Sequence, residues 1–157
     1  MDALVFLKGI RAERMEISRL TEAREQLVDT LFPPAIRYDR DRVQTSPTDK
    51  MITVAAELDE IDRDIEQRIV KLSEDVRLAY QIVGQLKTPE CREVIMLRYL
   101  MGKRRPLTWR EIAQEMSYSV QHVKGKLHGA AVKELRAVWD EAEHPEKQKT
   151  PEYRESC

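Results

Sequence analysis

The chain has 157 residues, the size of one domain with room for a modest second unit. Charged residues make up 35% of it against only five glycines and 6% aromatics, a balance that favours helix and leaves little for a β-sandwich core. With a net charge of −1, the chain as a whole has no attraction for nucleic acid, so any such role must come from how its charge is distributed.

In chain order, residues 2–31 place Leu7, Ile10, Ile17, Leu20, Leu27 and Leu31 at roughly helical spacing among many charges, which predicts a long amphipathic helix. Phe32-Pro33-Pro34 should stop it, because proline has no amide to donate and pushes the residue before it out of the α region. A polar connector, 32–46, follows. Ser46 then reads as an N-cap, with Pro47 in the first helical position and Asp49 placed to return the capping bond. From there Val54, Leu58, Ile61 and Ile65, and after a shift Ile69, Leu72, Val76, Ala79, Val83 and Leu86, form a coiled-coil-like seam with one stutter. A helix over 47–86 would be about 60 Å long at ~1.5 Å per residue, too long for the rest of the chain to cover. Its seam calls for the first helix as partner, for a second copy in a homodimer, or for both. Asp59 with Arg63, and Asp64 with Arg68, are spaced as supporting i,i+4 pairs.

Thr88-Pro89 repeats the cap signature and opens a helix to Met101, with Cys91 as a small buried residue and Val94, Ile95, Leu97 and Leu100 as apolar contacts. Residues 102–107 form a basic loop. Thr108-Trp109-Arg110-Glu111 is a capping box for a short helix with Ile112, Ala113 and Met116 on its apolar side. Ser117-Tyr118 turns the chain, and Ser119 caps a last helix to about Glu141, with Val123, Leu127, Ala130, Ala131, Leu135 and Val138 facing inward and Trp139 at the bundle end. The polar stretch beyond reads as a flexible tail, 142–157. The expected class is therefore all-α: a helical arm over 1–86 and a small helix-turn-helix domain over 88–141.

Charge singles out that domain. Residues 1–97 hold 15 Lys and Arg against 19 Asp and Glu, residues 98–136 hold 9 against 3, and residues 137–157 hold 3 against 6. A helix-turn-helix needs a small residue where its helices approach, here Ala113, and apolar residues fixing their crossing, here Ile112, Met116, Tyr118, Val123 and Leu127. Val120, Gln121, His122 and Lys124 then lie in the leading turns of the second helix, the part that reaches base edges in the major groove of double-stranded DNA. Lys103, Arg104, Arg105, Thr108, Arg110, Ser119, Lys126, His128, Lys133 and Arg136 are candidates for phosphate contacts.

Residues 90–136, including RYLMGKRRPLTWREIAQEMSYSVQHVKGKLHGAAVKELR, resemble region 4 of bacterial sigma factors, the part that reads the promoter −35 element. Over about residues 1–140 the chain also resembles the RinA-type phage late-transcription activators. The likeness lies in the helical N-terminal half, the connector YDRDRVQTSPTDKM from Tyr38 to Met51, and the same C-terminal unit. The resemblance implies a phage or prophage activator that binds promoter DNA and works with the host RNA polymerase. Two positions depart from the pattern: Ser117 stands where glycine is usual in the turn, and Gly125 where a larger polar residue is common.

Other classes fit less of the sequence. A DNA-packaging protein resembling a small terminase subunit also joins a helix-turn-helix to an oligomerising helical region, and a polymerase- or sigma-binding adaptor without DNA affinity would use the acidic long helix. An enzyme is not expected, since no glycine-rich phosphate loop, metal-ligand spacing or nucleophile–base pair can be assembled. His122 and His128 have no cysteine or carboxylate cluster beside them, so neither a metal nor another cofactor is expected. No apolar run reaches the ~18 residues of a membrane span, and the N-terminus has no basic stretch before its apolar residues, so the expected location is the cytoplasm of a bacterial host cell.

Overall fold

The computed structural model describes residues 1–31, 47–102 and 105–143. Among these the chain is all-helical, with no strand. Two long helices, α1 (Ala3–Leu31) and α2 (Pro47–Gly84), precede α3 (Pro89–Ile95), α4 (Trp109–Met116) and α5 (His128–Glu143). Two wide turns with i→i+5 bonding adjoin them: π1 (Met96–Leu100) continues α3, and π2 (His122–Leu127) runs into α5. The connector 32–46 with the Ser46 cap, the loop residues Lys103 and Arg104, and most of the tail lie outside the described residues. No described helix is long and apolar enough to cross a membrane.

The chain divides into two compact units. One comprises residues 12–75, where α1 and α2 pair in antiparallel fashion: Arg24 ion-pairs with Asp62, and Arg68 reaches both Glu13 at 2.9 Å and Asp64 at 3.0 Å. These ion pairs set α1 of the same chain beside α2. Burial along it is shallow, with Val54 buried, Leu58, Ile61 and Ile65 half-buried, and Ile69 exposed. The exposed Ile69 sits at the stutter, where the apolar row rotates away from the helix it faces. Of the two expected i,i+4 pairs, Asp64 with Arg68 forms, whereas Asp59 and Arg63 do not pair with each other.

The other unit combines residues 1–11 with 76 onward. The expected boundary at 86–88 is a helix break and not a unit boundary, because both ends of the arm supply core to the C-terminal bundle. Leu7, Ile10, Val83, Val94, Ile95, Leu100, Ile112, Val123 and Leu135 are its largest fully buried side chains. Removing each from water contributes roughly 1.5–3 kcal/mol. Cys91 and Ala131 are buried as expected, but Ala130 is exposed. Phe6 tilts against Trp139 at 5.2 Å, closing the bundle end. Arg136 grips Asp2 through two bonds of 3.2 and 3.0 Å, and the N-terminal amine lies 3.8 Å from Glu143.

The helix ends follow local chemistry. α2 stops at Gly84, where Gln85 and Leu86 donate to the carbonyls of Ile82 and Val83, three residues back, and Leu86 returns to the core. Thr88 has the extended backbone of an N-cap with Pro89 next to it, but its side chain caps nothing. Its hydroxyl and its amide both donate to the Glu134 carboxylate, tying α5 to the start of α3.

Candidate nucleic-acid interface

The supporting helix α4 begins as its sequence dictates. Thr108 Oγ1 accepts from the Glu111 amide at 3.3 Å and the Glu111 carboxylate accepts from the Thr108 amide at 2.8 Å, a complete capping box. Arg105 adds a two-pronged grip on the same carboxylate at 2.8 and 2.6 Å. That guanidinium, with the Thr108 bonds, lowers the Glu111 carboxyl to about 2.

At its other end α4 closes without the usual glycine. Ser117 takes the left-handed conformation, φ 59° and ψ 36°. Its amide donates to the Gln114 carbonyl at 3.2 Å and that of Tyr118 to the Ala113 carbonyl at 2.9 Å. These are the two bonds of a Schellman turn, so Ser117 performs the reversal that the resemblance assigns to glycine. Helix resumes at residue 120, and the Ser119 hydroxyl accepts from the His122 amide at 3.2 Å. Ile112, Ala113, Met116 and Val123 are buried, and Leu127 is half-buried. Tyr118, expected among these locking residues, is instead 45% exposed, its ring 4.9 Å from that of His122.

Of the base-contact candidates, Val120, Gln121 and Lys124 are exposed, while His122 is half-buried beside Tyr118. The wide turn π2 alters their register. With i→i+5 bonding there are more residues per turn, so Gly125 and Lys126 come nearest above Gln121, and Lys124 swings further round than an ordinary α-helix would carry it. A methyl group at Gly125 would meet nothing within 4 Å, so this position lies on open surface.

The phosphate candidates separate into groups. Arg110, Lys126 and Lys133 are exposed and make no ion pair among the described residues. Thr108 and Ser119 are helix caps, and Lys103 and Arg104 fall outside the described residues. Arg105 and Arg136 are engaged with Glu111 and Asp2, so neither offers an unpaired cation. His128 departs furthest from expectation. It is half-buried, with its Nε2 3.0 Å from the Tyr99 hydroxyl and its ring edge-on to Trp109 at 4.9 Å. Burial first, then Arg98 and Lys8, push its pKa below the ordinary 6.5, so it is turned inward and uncharged where a phosphate ligand should be outward and cationic.

The sequence reading missed Tyr118 as a surface aromatic, and Arg98 and Tyr99 as supports of the second helix. Arg98 donates to the Leu107 carbonyl at 2.8 Å and lies 4.3 Å above the Trp109 ring. An exposed aromatic beside a turn residue was a usable signal for Tyr118; no linear spacing announces the other two. No family model, curated protein or solved structure matches this chain, so the site is read from its own chemistry.

Proposed function

We propose that the chain is a sequence-specific, DNA-binding transcriptional regulator that places the helix beginning after Ser119 in the major groove. One observation carries this reading. The capped, outward-facing start of that helix presents Val120, Gln121, Lys124 and Lys126, and no acidic residue occurs anywhere between Glu115 and Glu134. An acid-free helix N-terminus with lysines and an amide side chain suits a groove lined by phosphates and base edges. Gln121 can pair with adenine, Lys124 can approach guanine, and Lys126, Arg110 and Lys133 are free to meet phosphates. Activation of phage late genes together with host RNA polymerase is the biological setting that fits the sequence resemblance, and the role is binding rather than catalysis.

The target can be found by selecting bound fragments from the DNA flanking the gene. On the selected duplex, Gln121→Ala and Lys124→Ala should each cost ~1–3 kcal/mol while leaving binding to scrambled DNA nearly unchanged. Arg110→Ala and Lys133→Ala should weaken both DNAs alike and reduce the slope of log K against log salt by roughly 0.9 per lost contact. Fluorescence anisotropy at several salt concentrations separates the two patterns. Loss of specificity from Lys133→Ala, with Gln121→Ala and Lys124→Ala silent, would overturn the assignment of the reading helix.

A further inference from the structure

Where π2 passes into α5, one residue closes two different bonds. The backbone amide of His128 donates to the Val123 carbonyl, completing the wide turn. Its ring Nε2 lies 3.0 Å from the hydroxyl of Tyr99 on π1. The ring also stands edge-on to Trp109 at the start of α4, and Arg98 covers Trp109. A single imidazole thus joins the candidate reading helix both to its supporting helix and to the helix beneath.

The protonation state of that imidazole follows from its partner. Tyr99 is buried, and its hydroxyl has the imidazole as its polar partner among the described residues. A buried hydroxyl proton needs an acceptor, so Nε2 carries a lone pair and the neutral ring holds its proton on Nδ1. The charged groups acting here are cations: Arg98 from π1 and Lys8 from α1 on the ring itself, and Arg11 from α1 on Arg98 and Tyr99. α4 contributes the uncharged Trp109, and among the described residues no carboxylate offsets the cations at the ring.

We propose that neutral His128 is the positioning residue that seats the reading helix, and that protonating its ring unseats the helix and weakens DNA binding. The last step rests on the DNA-binding reading above. A proton on Nε2 turns the acceptor into a second donor, leaves the Tyr99 hydroxyl without a partner and adds a charge beside Arg98 and Lys8. Above the ordinary histidine value of 6.5, seated and unseated rings are both neutral and nothing is lost. Below it, the unseated ring takes up a proton that the seated ring refuses. The ratio of seated to unseated forms then falls by up to about tenfold per pH unit, until the seated ring itself protonates. This runs against ordinary electrostatics, in which added positive charge tightens binding to phosphates.

The test uses the full chain labelled with ¹⁵N, titrated from about pH 8 to about pH 5, where histidine changes charge. Imidazole ¹H–¹⁵N spectra should show the Nδ1–H tautomer at high pH. The backbone amides of residues 119–127 should shift with the same midpoint as the His128 ring, below 6.5. Tyr99→Phe, which removes the donor, should raise that midpoint. Anisotropy on the selected duplex should show affinity falling several-fold with acid in the wild type. His128→Gln, whose amide oxygen can still accept from Tyr99 but cannot titrate, gives up the ring's contact with Trp109, so the reading is its pH dependence and not its level: whatever its affinity at high pH, the acid-induced fall should be lost. An Nε2–H tautomer, a midpoint at or above 6.5, or amides of residues 119–127 that ignore the ring's titration would overturn the proposal. So would an equal acid-induced fall in His128→Gln. If the chain binds no DNA at any pH, the DNA reading fails, while the tautomer and the amide shifts still decide whether His128 seats the helix.

Discussion

Ser117 holds a conformation that L-residues avoid, because in the left-handed region Cβ crowds the following carbonyl at roughly 1–2 kcal/mol. It is the one non-glycine residue with positive φ among those described, and it sits where the two helices of the motif change direction. The two Schellman bonds and the burial of Met116 on one side and Val123 on the other hold it there. Ser117→Gly removes the Cβ conflict but frees the unfolded chain, offsetting about 0.5–1 kcal/mol of the gain. The net expectation is a stabilisation of up to about 1 kcal/mol, seen as a higher urea midpoint with unchanged slope. Ser117→Val, β-branched in the same conformation, should lower the midpoint. A glycine variant less stable than the wild type would mean that the serine hydroxyl, and not the backbone, decides this turn.

Both helices of the candidate motif begin on a polar cap, Thr108 for α4 and Ser119 for the reading helix. The Ser119 hydroxyl satisfies the His122 amide, one of the donors that every helix leaves free at its start. Ser119→Ala should therefore cost about 0.5–2 kcal/mol in thermal or chemical unfolding, and DNA affinity should drop with it as the leading turn frays. Unchanged stability and affinity would show that the helix begins elsewhere. Elements of this kind were legible in the sequence because capping is decided within four residues: the Thr108–Glu111 box and the Ser119 cap both follow from local chemistry. The wide turns were not legible. Val123 and Leu127 fit an ordinary helical stripe equally well, and the His128 ring at the end of π2 meets a partner, Tyr99, that lies 29 residues away in sequence. Distance in sequence hid the engaged cations for the same reason. Arg105 looked free because its acid lies six residues on, across the loop, and Arg136 because its acid lies 134 residues back.

At the scale of the whole molecule, the sequence suggested an arm joined to a self-sufficient C-terminal domain, yet the unit that carries the reading helix begins at the first residue of the chain. Ala3, Leu7 and Ile10 recur at helical spacing and are each 2% exposed or less, which is core burial in a helix whose other apolar residues are half-covered or exposed. Phe6, beside Leu7 in sequence, packs tilted against Trp139, and the Asp2–Arg136 grip lies in the same stretch. A bundle of α3, α4 and α5 alone would expose the apolar surface that these residues cover, and small helical units have little stability to spare. Leu7→Ala in the full chain should therefore destabilise the DNA-binding unit by about 2–5 kcal/mol through lost burial and the cavity left behind. Leu20→Ala, at a half-buried site in the paired arm, should cost clearly less. Hydrogen exchange read at the amides of 112 and 123 reports directly on the bundle rather than on the arm. Faster exchange there in Leu7→Ala than in Leu20→Ala is the expected result; equal protection in the two variants would show that the helix-turn-helix stands without the N-terminal turns.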